Sequence, residues 1–388
     1  MTADMTAEGP FVIEVDAGNH ARKACPVTFG LGCGLPEGKA LRITDPDSAD
    51  AVVPANVCDC CESCEPTAAF IVGDLAAGQT KRYVGEVVDA EDCCGAGVSV
   101  TEVPGERVDV GIGGDLFTSY VIDEGIARPY CYPVNGPGGI CVTNSGPSDH
   151  VHHRSMYVAQ GEVNGEDNWS EMEGHGRTIN RSIQVLTQGP AVGAFLAVGD
   201  WVGKNGNQIL EERTRIQTWA VPDCMRIVDW DITLDAKYGG VYFGDTKEAG
   251  TLSVRVAETM EAKYTGLITN AYGGVTESET WGKRAPWCDY SGEVEGAKLG
   301  LAIFDHPDNL RYPTYWHVRD YGLFTANQWG IHDFTNDWAK RGDYALEAGQ
   351  ALRFKFRVYI HEGDVCSAAV GDRYHDWATP PTVTISAE

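Results

Sequence analysis

The sequence predicts an all-β protein, with a small β-sandwich over residues 1–104 and a large antiparallel β-sandwich over residues 105–388. Three observations predict this. Glycine is abundant, 46 of 388 residues, and Gly, Pro and Asp punctuate short apolar runs at the spacing of strands and turns. Longer runs such as residues 353–359 and 211–220 alternate charged and apolar side chains at period two, the mark of a half-buried strand. No convincing helical period appears before residues 366–377, which can form one short helix.

The N-terminal third reads as strands over residues 11–16, 25–30, 40–44, 68–72 and 80–88. A Cys-rich loop interrupts at residues 58–64. From about residue 100 the strands lengthen: 117–122, 182–187, 194–200, 211–220, 226–234, 251–256, 298–304 and 351–361. Residues 130–180 and 305–343 read as two long loops, and unstructured connections of that length are usually functional.

Composition narrows the function. The formal charge is −26, so nucleic acid and anionic membrane are excluded as partners, because both require a basic face. The acidic residues are spread along the chain, as on a strongly solvated surface or an ordinary acidic protein. The first ten residues are polar, and no apolar run approaches the roughly 18–20 residues needed to span a bilayer. A cytoplasmic protein is expected. No phosphate-binding loop, dinucleotide fingerprint, nucleophile elbow or zinc-protease helix is found, so no nucleotide cofactor is expected.

Two stretches carry most of the chemistry. Residues 148–154 read Ser-Asp-His-Val-His-His-Arg, and residues 316–322 read Trp-His-Val-Arg-Asp-Tyr-Gly. Histidine is otherwise sparse, ten in the chain, and six of the ten lie in these stretches or at His175 and His306. The fold is expected to gather them into one polar site. If residues 150–153 are extended, His150 and His152 share one face and His153 the other. Such a pair can bind a divalent metal with a third ligand, or act as acid and base near neutral pH. The plain alternative is a set of hydrogen-bonded structural histidines. His175, flanked by Gly174 and Gly176, can approach a ligand closely or sit in a surface loop. In the second stretch His317, Arg319 and Tyr321 share a face, and Trp316 lies opposite. The turn at Asp245, Thr246, Lys247 and Glu248 offers carboxylates and an ammonium, or is simply solvated. Arg284 lies between Trp281 and Trp287, a basic turn suited to an anionic or sugar-like ligand.

Cysteine is also uneven. Cys58, Cys60, Cys61 and Cys64 form C-x-C-C-x-x-C, followed by Cys93 and Cys94. In a reducing compartment this spacing reads as a metal thiolate, here a structural zinc tying a loop, more readily than as disulfides.

At these residues the chain resembles the family labelled methane oxygenase-like (the PmoA-type label). The matching stretches are Arg-Pro-Tyr at 128–130, Pro-Val-Asn-Gly-Pro-Gly-Gly at 133–139, Asp-His-Val-His-His-Arg at 149–154, Gly-Glu-Val-Asn-Gly at 161–165, and His306-Pro307 through residues 316–327, which end at Asn327. The likeness spans most of residues 110–380. It implies a galactose-mutarotase-like β-supersandwich preceded by an Ig-like segment, and an association with carbohydrate catabolism. The Cys cluster departs from the pattern.

The functional expectation is therefore an enzyme acting on a glycoside or sugar acid, by β-elimination or hydrolysis, with a small-molecule or oligosaccharide substrate. His152 and His317, supported by His150 and His153, are the expected acid and base. Arg154 and Arg319 would hold a carboxylate or oxyanion, and Trp316 and Trp287 would form stacking walls. His175, Arg284 and Asn327 complete the expected substrate contacts. A mutarotase or epimerase, or a carbohydrate-binding protein without chemistry, is the alternative. A divalent metal at the histidines and zinc at the cysteines are the expected cofactors.

Overall fold

The computed structural model describes residues 9–32, 34–49, 51–58, 66–90 and 97–387. Among these residues the chain builds two β-sandwiches. The smaller sets a five-stranded sheet, ordered Thr382–Ala387, Phe11–Asp16, Thr80–Asp89, Lys39–Asp45 and Ala51–Val53, against the three strands Cys25–Gly30, Thr67–Val72 and Ala55–Cys58. Period-two patterning selects the inner face: Ile13 and Val15 are buried while Glu14 and Asp16 are exposed.

The larger sandwich has two eight-stranded antiparallel sheets. The back sheet runs Arg177–Thr187, Val192–Val202, Gln208–Trp219, Met225–Asp235, Ala351–Glu362, Ala297–Asp305, Trp287–Val294 and Leu267–Asn270. The front sheet runs Tyr315–Val318, Leu323–Asn327, Ala249–Arg255, Met156–Gln160, Tyr130–Val134, Asp115–Val121, Arg107–Ile112 and Val98–Val103. Between them lies one apolar core that includes Trp201, Trp230, Leu252, Val254, Trp316, Phe324 and Phe356.

The expected boundary at residue 104 falls inside a hairpin, because Val98–Val103 pairs with Arg107–Ile112 in the front sheet. The last strand, Thr382–Ala387, returns to pair with Phe11–Asp16. Alternation fixes which face of a strand is buried, and it does not say which sheet the strand joins. The two expected long loops also contain strands. Met156–Gln160 and Leu323–Asn327 are buried at every position, so neither shows an alternating pattern. Three short α-helices are described: α1 (Thr276–Thr280), α2 (Ile331–Thr335) and α3 (Val370–Ala378). Only the third was legible as periodicity. Cys58 ends a strand, and Cys60, Cys61 and Cys64 lie outside the described residues.

Helix α3 joins the two sandwiches. Arg373 donates to the carbonyls of Ala21 and Lys23. Arg22 donates to those of His375 and Thr379. Asp376 lies between the two guanidinium groups, 2.8 Å from Arg373 and 3.5 Å from Arg22. Burial lifts its carboxyl to about 6 against the pull of these cations. Nearby Asp305, fully buried, accepts from Asn309 and from the Thr314 N–H, and burial lifts it to about 7.

A carboxyl whose folded pKa is raised binds its proton more tightly in the native state. Its contribution to stability is present below the ordinary value near 3.8 and is lost as pH rises through 6 to 7. Urea unfolding between pH 5 and pH 8 should therefore show a falling midpoint in the wild-type protein and a shallower fall in Asp305→Asn.

Candidate active site

Beside an apolar patch of Tyr157, Ala159, Trp169 and Leu323, the outer face of the front sheet carries buried polar residues, which is unusual for strands buried on both sides. Where Leu252, Val254, Trp316 and Phe324 face the core, their sequence neighbours Ser253, Arg255, His317 and Thr325 face outward. All four are buried: the loop over residues 144–155 meets Arg255, the turn at Lys247 with Trp281 and Phe334 meets His317, and Ser253 and Thr325 bond each other.

Arg255 organises this face. Its guanidinium reaches both oxygens of Asp149 at 3.1–3.2 Å, Glu261 Oε1 at 2.7 Å and His153 Nδ1 at 3.2 Å. It also lies over the Tyr321 ring, 5.4 Å from the centroid. Arginine only donates, so His153 Nδ1 is the acceptor and its proton sits on Nε2. Burial and the surrounding cations hold the His153 imidazole down to about 2. Asp149 is held at about 2, because bonds from His150 and Arg255 outweigh its desolvation.

The histidine stretch is a closed loop rather than a strand. Its backbone is fixed by His150 N–H to Pro147 O, His153 N–H to His150 O and Gly146 N–H to His153 O. His150 stacks on His153 at 4.6 Å and on Tyr321 at 4.7 Å. The two motifs, more than 160 residues apart in sequence, therefore meet ring to ring. His152 stands edge-on to His153 and Trp169. It is half-buried, and burial, with Arg128 and His150, lowers its pKa.

His317 comes from the sheet edge on Tyr315–Val318. Its Nδ1 lies 2.6 Å from the Lys247 carbonyl, so that nitrogen carries a proton. Its Nε2 is buried with no protein partner. Burial lowers the imidazole to about 4, against the pull of Glu248. Glu248 follows Lys247 in the same turn, ion-pairs with the Lys247 ammonium, and feels both His317 and His152. Burial raises the carboxyl, but these groups outweigh it and hold Glu248 below the ordinary value. Asn327 pins this turn, donating to the carbonyls of Thr246, Lys247 and Ala249 while accepting from the N–H groups of Trp329 and Gly330. Gly250 ends the turn, and a Cβ there would lie 1.8 Å from Thr325 Oγ1.

Several sequence candidates lie elsewhere or are occupied. Trp316 is in the core and donates to Ala285 O. Trp287 packs with Val370 and Tyr374 on the far side of the back sheet. Arg284 holds the carbonyls of Arg311, Tyr312 and Pro313. His175 bonds the Gly176 carbonyl, and His306 lies edge-on to Trp377 beside α3. Arg154 is gripped by Glu171 through two nitrogens and lies over Tyr130. Arg319 pairs with Glu277 at 2.9 Å. Among the described residues, no group of three or more His, Cys, Asp or Glu side chains is placed to hold a metal ion.

Arg255, Glu261 and Glu171 are not singled out by the sequence; Asp149 and Arg128 fall within the motif stretches but are given no role there, and the turn of Glu248 admits both a chemical and a solvated reading. Arg255 left one signal: a charge inside an otherwise uncharged strand. Arg128, 2% exposed, ties the covering loops together through the carbonyls of His152, Trp169 and Ser170.

The fold and site thus define an all-β protein with an enclosed imidazole–carboxylate cluster on one sheet. The chain belongs to a Family of unknown function (DUF6807), which matches residues 107–375. That match carries no methane oxygenase label. No curated protein sequence matches the chain. Among solved structures, an alpha-mannosidase from Enterococcus faecalis is similar at 10% identity and TM-score 0.45, over 99% of this chain and 47% of that one. A protein in the glycosyl hydrolase family 38, also from Enterococcus faecalis, is similar at 11% identity and TM-score 0.45, over 97% and 47%. A GalM/aldose epimerase homologue from C. elegans is similar at 9% identity and TM-score 0.32, over 70% and 100%. The chain spans about half the length of the first two. Among the described residues, no helix is long and apolar enough to cross a membrane.

Because Trp316 fills the core, Trp316→Ala should cost about 3–5 kcal/mol of stability, read as a lowered urea midpoint.

Proposed function

We propose that this protein is a carbohydrate-active enzyme that works by general acid–base catalysis on a glycoside, by β-elimination or hydrolysis. One observation carries the reading: His317 Nε2 is buried, unpartnered and neutral near pH 7, beside Glu248, a carboxylate that also feels the half-buried His152. A base needs a free lone pair at working pH and a fixed orientation. The Lys247 carbonyl supplies the orientation, and burial supplies the neutral state.

In this reading His317 takes the substrate proton and Glu248 stabilises the imidazolium that forms. The imidazolium formed at His317 then passes that proton to the leaving oxygen, and His152, kept neutral by burial with Arg128 and His150, hydrogen-bonds the substrate. His150 and His153 act through others: their rings, stacked on Tyr321 and tied to Asp149 and Arg255, position His152. Every guanidinium around the site already has an acidic partner. That favours a neutral glycoside over a sugar acid, because a substrate carboxylate would have to displace an existing ion pair. The resemblance of the two long motifs and the tyrosine and tryptophan rings around the cluster support a sugar as substrate. A mutarotase would use the same imidazoles and Glu248 to move a proton between ring and anomeric oxygens.

His317→Ala and Glu248→Gln should each lower turnover by about 100-fold or more, with melting temperatures nearly unchanged. The assay is a panel of glycosides, uronides and 3-keto-glycosides with products read by mass spectrometry. A product one water lighter than its hydrolytic counterpart identifies elimination, and gain of water identifies hydrolysis. Unchanged mass with a shifted anomeric ratio identifies a mutarotase. Silence in all three, or full activity in both variants, overturns the reading. The pH profile of kcat/KM should hold down to about pH 4–5 and fall below it, as His317 becomes protonated.

A further inference from the structure

Ten tryptophans are present in the chain, and Trp338 is the one that stands exposed, at 73%. A single exposed indole is ordinary in itself; what marks this one is the structure built beneath it. Its position is fixed from below: the His332 ring lies 4.1 Å away, tilted by 34°. His332 is itself fixed, with Nδ1 2.8 Å from Asp245 Oδ1. Asp245 is fully buried and also accepts from the Gly342 N–H. The platform under Trp338 is therefore built rather than incidental.

It also adjoins the catalytic cluster. Asp245 opens the turn that ends in Glu248, and Asp333 of α2 accepts from the Lys247 N–H in that turn. Phe334 of the same helix lies edge-on to Trp281 and 6.1 Å from His317. Trp338 thus lies one side chain away from the turn that carries Glu248. Hydrogen-bonding groups flank it in sequence and space: Arg341 forks onto Asp343 at 2.7 and 2.9 Å, and Asp343 also takes the hydroxyl of the exposed Tyr242. An open aromatic face beside a polar rim suits the apolar face and hydroxyl edge of a pyranose ring.

We propose that Trp338 is a second-ring subsite, so that the substrate is a glycoside of at least two pyranose rings, one at the imidazole–carboxylate cluster and one on this indole. The proposal rests on the carbohydrate reading of the cluster.

The test uses the full chain and an array of neutral mono-, di- and trisaccharides of the common pyranoses. Binding is measured by calorimetry and by quenching of tryptophan fluorescence. The wild-type protein should bind its preferred di- or trisaccharide about tenfold more tightly than the corresponding monosaccharide, an aromatic-contact-sized gain. Trp338→Ala should abolish that gain and leave monosaccharide binding unchanged, and Trp338→Tyr should restore most of it. Equal affinity for all lengths, an undiminished gain in Trp338→Ala, or no saccharide binding at all overturns the subsite. A changed oligomeric state in Trp338→Ala with unchanged saccharide binding also overturns it, in favour of a protein contact. Length-dependent binding without turnover keeps the subsite and removes the catalytic reading. Turnover that ignores ring number does the reverse.

Discussion

The buried guanidinium of Arg255 is the constraint on which the site depends. A guanidinium cannot give up its charge, so burying it requires acceptors on every side. Asp149 comes from the histidine loop, Glu261 from the segment after the strand, and His153 accepts at its free nitrogen. Asp149 and His153 lie on that one loop, and Glu261 on a separate stretch of chain. Satisfying one cation therefore closes the loop, sets the His153 tautomer and seats Tyr321 against His150. Removing Arg255 would strip the buried Glu261 of one of its two cations and leave His153 Nδ1 without its donor, a larger loss than that of one exposed ion pair.

Charge balance inside the site contrasts with the molecule as a whole. The chain carries a formal −26, yet the cluster pairs Arg255 with Asp149 and Glu261, Arg154 with Glu171, and Arg319 with Glu277. The acidic surface remains in water, where salt screens it. Within the cluster, desolvation keeps His317 and His153 neutral, and local pairing holds Glu248 and Asp149 ionised. A neutral base beside an ionised carboxylate is the outcome of that division.

Position in the sheet explains why such a site sits on strands. The front sheet is apolar toward the core and carries polar residues outward, and the histidine loop and the turn at residues 245–248 bury these as well. Rigid strands present His317 and Arg255, while the turn at residues 245–248 presents Glu248, pinned by Asn327. The same turn meets α2, which links the cluster to the Trp338 platform.

The sequence by itself determined the all-β class, most strands of the back sheet, the short helix before the C-terminus and the two motifs that meet in the site. Those features follow from local period, turn chemistry and residue type, which need no partner to be read. It did not determine the strands Met156–Gln160 and Leu323–Asn327, because burial on both faces erases alternation. Nor did it assign Val98–Val103 or Thr382–Ala387 to their sheets, since register and pairing are long-range. Only the tertiary structure decided which candidates are free to act. Trp316, Arg154 and Asn327 have suitable chemistry, but the core, Glu171 and the carbonyls of residues 246–249 already occupy them. Tertiary structure also brought forward Arg255 and Glu248, whose roles come from neighbours that are distant in sequence, and left His317 Nε2 without a protein partner.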